Sequence, residues 1–239
     1  VPAAPSSGHA RRRALLALAL LVPVPSLAVF VAVPDASGRT PLGADLFYVF
    51  SKVWLVALPL VWRHVVDRRP PSLSPTTRRH LALGAGLGLL MCAVIVLARL
   101  ALGVAWLDGD DLRTNLAASG IDTPAKFLAL AAGITIVNAF AEEVVWRWFV
   151  VEKSAECLPA RLAGWSVPLA AVLFTLHHVV ALDAHFGPLV TVLGSLGVFA
   201  GGWIWSALYR RTGSIWPCYL SHVLVDAALM AIGYHLLFM

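Results

Sequence analysis

Charge is scarce in this chain. Only 13% of its residues are Asp, Glu, Lys or Arg, against about a quarter in soluble domains. With 59% of residues hydrophobic, that shortage excludes an ordinary soluble domain and places the chain in a lipid bilayer. Cysteine is scarce as well. Cys92, Cys157 and Cys218 are odd in number and show no Cys-x-x-Cys spacing, so they build neither a disulfide framework nor a thiolate metal site. Internal repeats and low-complexity tracts are missing. A length of 239 residues leaves no room for a second sizeable soluble domain beside a membrane bundle. The net charge is +5, but Lys and Arg fall in the connectors, a pattern of membrane orientation rather than of nucleic-acid binding. No nucleic-acid partner is expected.

What the chain does have is long apolar runs. Candidate spans lie near Ala14–Val33, Leu46–Val66, Leu81–Trp106, Phe127–Val150, Leu162–Leu182, Pro188–Tyr209 and Ile215–Phe238. Each is near the roughly 20 residues that a helix needs to cross the hydrocarbon. Lipid cannot satisfy exposed backbone groups, so the expected fold is all-α, a polytopic transmembrane helix bundle of about seven spans. The run after Arg11, Arg12 and Arg13 reads as an uncleaved first span rather than a signal peptide, being long for the latter. The division expected is a cytoplasmic tail (1–13), N-terminal spans with loops (14–126) and a C-terminal helical core (127–239).

Arg11–Arg13, then Arg63, Arg68, Arg69, Arg78 and Arg79, then Lys153 and Arg161, then Arg210 and Arg211 mark every second connector. The others are poor in Lys and Arg. This alternation predicts a cytoplasmic N-terminus, and the Ala/Leu/Arg-rich composition suggests a GC-rich bacterial genome, so a bacterial inner membrane is expected. The longest outer loop, "DGDDLRTNLAASGIDTPAK", is acidic. Thr123 and Pro124 read as N-cap and first-turn proline of the fourth span.

Few ionisable groups fall inside the spans: Lys52, Arg99, Glu142, Glu143, Arg147, His177, His178, His222, Asp226 and His235. One charge at the bilayer centre costs about 2.5–3.5 kcal/mol on insertion scales. The adjacent Glu142 and Glu143 therefore need partners or water. Glu143 and Arg147 are spaced i,i+4 in the favourable order, which suits a structural ion pair. Glu142 points about 100° away around the helix. Its i−4 and i+4 neighbours, Asn138 and Trp146, are not cations, so it is expected to face another element. His222 and Asp226 are also i,i+4 and share a face. His177 and His178 are adjacent, and at most one is expected to point toward Glu142. By depth, His178 sits too far outward unless its helix begins at Ser166, with Ser166 as cap. Lys52, Arg99 and His235 are read as snorkelling or interhelical residues. Carboxylate and imidazole groups from three helices are suited to activating water and are zinc-ligand types.

The order "EEVVWR" (Glu142, Glu143, Arg147), "FTLHH" (Phe174, His178) and "HVLVD" (His222, Asp226) resembles the CAAX protease and bacteriocin-processing (CPBP, or Abi) intramembrane proteases. The resemblance covers about residues 127–239. It implies that Glu142 and His178 activate the hydrolytic water and that His222 and Asp226 stabilise the oxyanion. Glu143, Arg147 and Phe174 are supporting residues. It leaves open whether zinc is used; the ligands would then be Glu142, His178, His222 and Asp226. Asp226 stands where some relatives carry Asn. An ionised Asp cannot donate to an oxyanion, so it must be protonated, orient His222 or bind metal. The implied activity is hydrolysis of a peptide bond near the terminus of a membrane-anchored protein or peptide, with the lipid bilayer as surroundings. Two rivals are a non-catalytic immunity-type binding protein and a small proton-coupled transporter.

Overall fold

The computed structural model describes residues 8–32, 41–70, 72–103, 112–113, 116–117 and 120–239. The acidic outer loop lies largely outside the described residues, as do residues 1–7 of the N-terminal tail. Among the described residues every regular element is helical. Seven helices are long and apolar enough to cross a membrane: Gly8–Ala32, Ala44–Val66, Arg78–Leu102, Pro124–Cys157, Ala160–His185, Pro188–Thr212 and Trp216–Phe238. The chain is a multi-pass membrane protein, and these seven are called the first to seventh spans below.

Local chemistry sets several boundaries. Thr77 caps the third span by accepting from the His80 amide at 3.2 Å. Thr123 caps the fourth by accepting from the Lys126 amide, and Pro124 follows in its first turn, as the sequence predicts. At this exposed end Lys126 donates to Asp122 and holds its carboxyl below the usual carboxylate range. The fifth span differs from expectation in its cap. A 3₁₀ turn covers Ala160–Trp165, and the α-helix begins at Ser166, a start that narrows the difference in depth between His178 and Glu142. Ser166 does not cap it, however; its hydroxyl donates back to the Ala163 carbonyl.

The fourth span is longer than its hydropathy suggests. It runs on past Val150 to Cys157 and contains two π-helical stretches, Gly133–Asn138 and Glu143–Val150. Such stretches widen the helix locally and recur at functional sites. Because the helix continues, Lys153 is not in a loop. It is buried, and its ammonium donates to Asp67 and Glu156, both at 2.7 Å.

The chain divides into two compact units, each described by itself: Val1–Leu73 with Val144–Arg211, and Ser74–Glu143 with Thr212–Met239. The first unit is closed at one end by polar contacts. Besides the Lys153 group, Arg63 pairs with Glu152 at 2.7 Å and lies over the Trp148 ring. Tyr209 donates to Glu152, and Arg11 donates to the Cys157 carbonyl. Arg11, Arg63 and Lys153, which the sequence assigns to one membrane face, thus gather at one end of this unit.

In the second unit the third and seventh spans pack closely. A Cβ on Gly84 would meet the Pro217 carbonyl, and one on Gly88 would meet Ser221 and Leu224. Small residues four apart let helix backbones approach in lipid. Cys92 continues the contact by donating to the Leu224 carbonyl. The order 84, 88, 92 against 217, 221, 224 makes the two helices parallel. The fourth span runs the other way along the seventh. Phe127 packs on Tyr234 and Phe238, while the Ile136 carbonyl accepts from Tyr219. An apolar cluster of Phe127, Ala131 and Leu237 fills that end.

Candidate active site

In the second unit, four of the ionisable residues singled out from the sequence meet around one imidazole. His222 is 5% exposed. Its Nδ1 lies 2.8 Å from Glu143 Oε1. Its Nε2 lies 3.6 Å from Asp226 Oδ1 and 3.9 Å from Glu142 Oε2. The Asp226 contact is the i,i+4 pairing expected within one helix. The Glu143 contact was not expected, since the spacing had assigned that acid to Arg147. The π-helical stretch beginning at Glu143 alters the direction of successive side chains, so two adjacent glutamates reach the two nitrogens of one ring. Glu143 is fully buried, whereas the Glu142 and Asp226 side chains keep 17% and 13% exposure. The two partly exposed acids are therefore the ones placed to meet water or substrate.

Asn138 is a partner that the sequence reading passed over. Its Nδ2 donates to Glu142 Oε1 at 2.9 Å. The i−4 spacing was visible in the sequence, and a neutral amide at that position serves as the donor in place of a cation. The bond holds one carboxylate oxygen and leaves Oε2 as the atom turned toward His222 Nε2.

An ionised carboxylate can only accept, so Glu143 makes His222 Nδ1 the donor. Nε2 then carries the lone pair, or a second proton if the ring is cationic. A carboxylate behind a histidine in this way fixes tautomer and ring orientation, as in many metal sites. The donor set tests the zinc expectation. Two carboxylate oxygens at 3.6 and 3.9 Å from an imidazole nitrogen sit close to the ligand-to-ligand spacing around an ion with bonds of about 2 Å. Glu142, His222 and Asp226 are thus zinc-ligand types, but their ligand atoms are not all close enough to one another to share one ion as they stand.

The first unit holds the paired histidines. His177 stacks on Trp146 with centroids 5.1 Å apart and planes 5° from parallel. His178 Nδ1 lies 3.0 Å from the Phe174 carbonyl. A carbonyl can only accept, so Nδ1 carries the proton and the neutral ring keeps its lone pair on Nε2. The two imidazole centroids are 3.9 Å apart. Both rings lean together against the aromatic surface of Phe174. Arg147 is fully buried here, its guanidinium 4.5 Å from the Phe174 centroid and 5.3 Å from that of Trp205. Lys52 lies over the Tyr48 ring, consistent with an amphipathic side chain at a helix surface.

Residues 124–228 match the model of the family described as type II CAAX prenyl endopeptidase Rce1-like. Glu142, Glu143, Arg147, Phe174, His178, His222 and Asp226 all fall inside the matched stretch. Match and motif resemblance agree on one family. No curated protein and no solved structure matches the chain.

Proposed function

Starting from the Rce1-like CAAX endopeptidase character of residues 124–228, we propose that the protein is an intramembrane endopeptidase. Its substrate is a membrane-associated protein or peptide cut near one terminus, of the sorting-tail, CAAX-like or bacteriocin-precursor kind. The observation that supports this most directly is the arrangement of Glu142, Glu143 and Asp226 around buried His222. Burying three acids beside one imidazole is costly in a bilayer, and a structural role needs only one of them.

Each residue then has a task. Glu142 is the general base. Asn138 steadies one of its oxygens while the other takes the proton from water. The proton passes on to the leaving amine as the tetrahedral intermediate collapses. His178 presents an Nε2 lone pair and orients the water. His222 stabilises the developing oxyanion through Nε2, in the form that carries a proton on that nitrogen. Asp226 orients His222. If the enzyme is loaded with zinc, Glu142, His178, His222 and Asp226 are its ligand types, and the ion supplies Lewis-acid polarisation.

The test compares membrane-protein termini by mass spectrometry in cells carrying wild type, Glu142→Ala or His178→Ala. New termini should be present with wild type and missing with both variants, at equal amounts of protein in the membrane. Normal cleavage by either variant would overturn the assignment. Proton flux in liposomes without a cleaved product would favour a transporter.

A further inference from the structure

We propose that the sixth span positions His178, through Gly202 and Trp205 acting on Phe174. The inference rests on the reading of His178 as a functional residue. The sixth span contributes none of the motif residues, yet it carries the walls of the pocket in which Phe174 sits.

Phe174 is 2% exposed and holds His178 twice. Its carbonyl accepts from Nδ1 at 3.0 Å. Its ring packs against the imidazole with centroids 4.6 Å apart. The first contact selects the tautomer; the second selects the rotamer that makes the first reachable. The Phe174 ring is confined in turn. The Trp146 indole meets it edge-on at 5.5 Å and the Trp205 indole at 6.4 Å. The Arg147 guanidinium covers a face. At the remaining contact, Gly202 has no side chain, and a Cβ there would lie 2.9 Å from Phe174 Cδ1 and 3.4 Å from Ala171 Cα. That approach is closer than real carbon contacts allow. Three neighbours already restrict the ring, so a methyl group at 202 must displace it, and with it the surface on which His178 packs. Arg147 also lies over Trp205 at 5.3 Å. Trp205 therefore holds both the ring and the cation that covers it.

The experiment uses the full chain in lipid nanodiscs with ¹⁵N-labelled histidine, the His178 signal being assigned with His178→Gln. Wild type should show a single tautomer protonated at Nδ1. Gly202→Ala and Trp205→Leu should each give a mixed or reversed tautomer. Turnover of a membrane-anchored peptide reporter should fall roughly tenfold to a hundredfold in kcat, with KM within a factor of about two. If Gly202→Ala does not accumulate, Trp205→Phe serves as the milder variant, with the same direction expected. Trp203→Phe, on the exposed side of the same helix, should change neither readout. In a Phe174→Leu background, Gly202→Ala should add no further loss, because the ring it displaces is gone. An unchanged His178 spectrum in the Gly202 and Trp205 variants overturns the proposal, whatever the activity. An altered spectrum in a protein that never cleaves the reporter leaves the positioning intact and removes the protease reading instead.

Discussion

Asn138 donates to Glu142 across one turn of the fourth span, and hydrogen bonds to charged groups contribute about 1.5–3 kcal/mol. Asn138→Ala should therefore lower kcat by roughly tenfold to a hundredfold, with KM little changed, in a reporter-peptide assay. Asn138→Asp should lower it further, since it sets a second carboxylate against the base. Glu142 and Glu143 should separate in another measurement. Glu142→Gln should abolish cleavage with the melting temperature nearly unchanged, because that side chain keeps contact with solvent. Glu143→Ala removes the buried acceptor of His222 Nδ1 and should lower both activity and melting temperature. Equal melting temperatures for the two variants would contradict the division of roles. The identities of these residues were legible in the sequence, because an acid or imidazole in an apolar run is conspicuous. Their pairing was not. The spacing offered Arg147 as a neighbour of Glu143 but gave no sign of the Glu143–His222 contact, which joins two spans where the helix turns π-helical. Hydropathy carries no mark of such a change.

At the scale of elements, glycine and lysine are more informative than the apolar residues that define the spans. Gly84 and Gly88 bring the third span against the seventh beside Pro217 and Ser221, the latter adjacent to His222. Gly84→Leu and Gly88→Leu should part the helices and reduce the amount of detergent-stable protein, read by fluorescence-detected size exclusion. Gly86→Leu, at a position where a Cβ meets nothing within 4 Å, should leave it near the wild-type level. This role of the third span was not legible in the sequence, because lipid-facing and helix-facing apolar residues look alike when hydropathy is the only guide. Lys153 makes the complementary case. It is 2% exposed and bridges Asp67 and Glu156, which keep 18% and 33% exposure. Lys153→Met leaves two partly hydrated carboxylates without that cation. The expected loss is about 1–3 kcal/mol, between the limits for exposed and fully buried pairs, read as a lower melting temperature. A Lys153→Met/Asp67→Asn double variant should recover part of it.

For the whole molecule, the count of spans was legible because about 20 apolar residues are needed at each crossing, and the seven helices follow the seven runs. Their direction follows from charge, and the second unit supplies an independent geometric check. An alternating topology requires the third and seventh spans to run parallel and the fourth to oppose both. The contacts 84 to 217 and 88 to 221 are parallel, while 127 to 234 and 136 to 219 are antiparallel. Arg78 and Arg79 open the third span. His222 lies six residues into the seventh, roughly 9 Å from its first residue at 1.5 Å per residue. If the basic connectors lie inside, as the charge pattern predicts, the site is expected in the cytoplasmic half of the bilayer. Single cysteines at two exposed positions of this unit test that placement, in a background with Cys92, Cys157 and Cys218 replaced by serine or alanine. A membrane-impermeant maleimide should label Asp122→Cys in intact spheroplasts and Arg79→Cys only after permeabilisation. The reverse pattern would place the carboxylates near the outer leaflet, and substrates would then have to be sought among proteins anchored on that side.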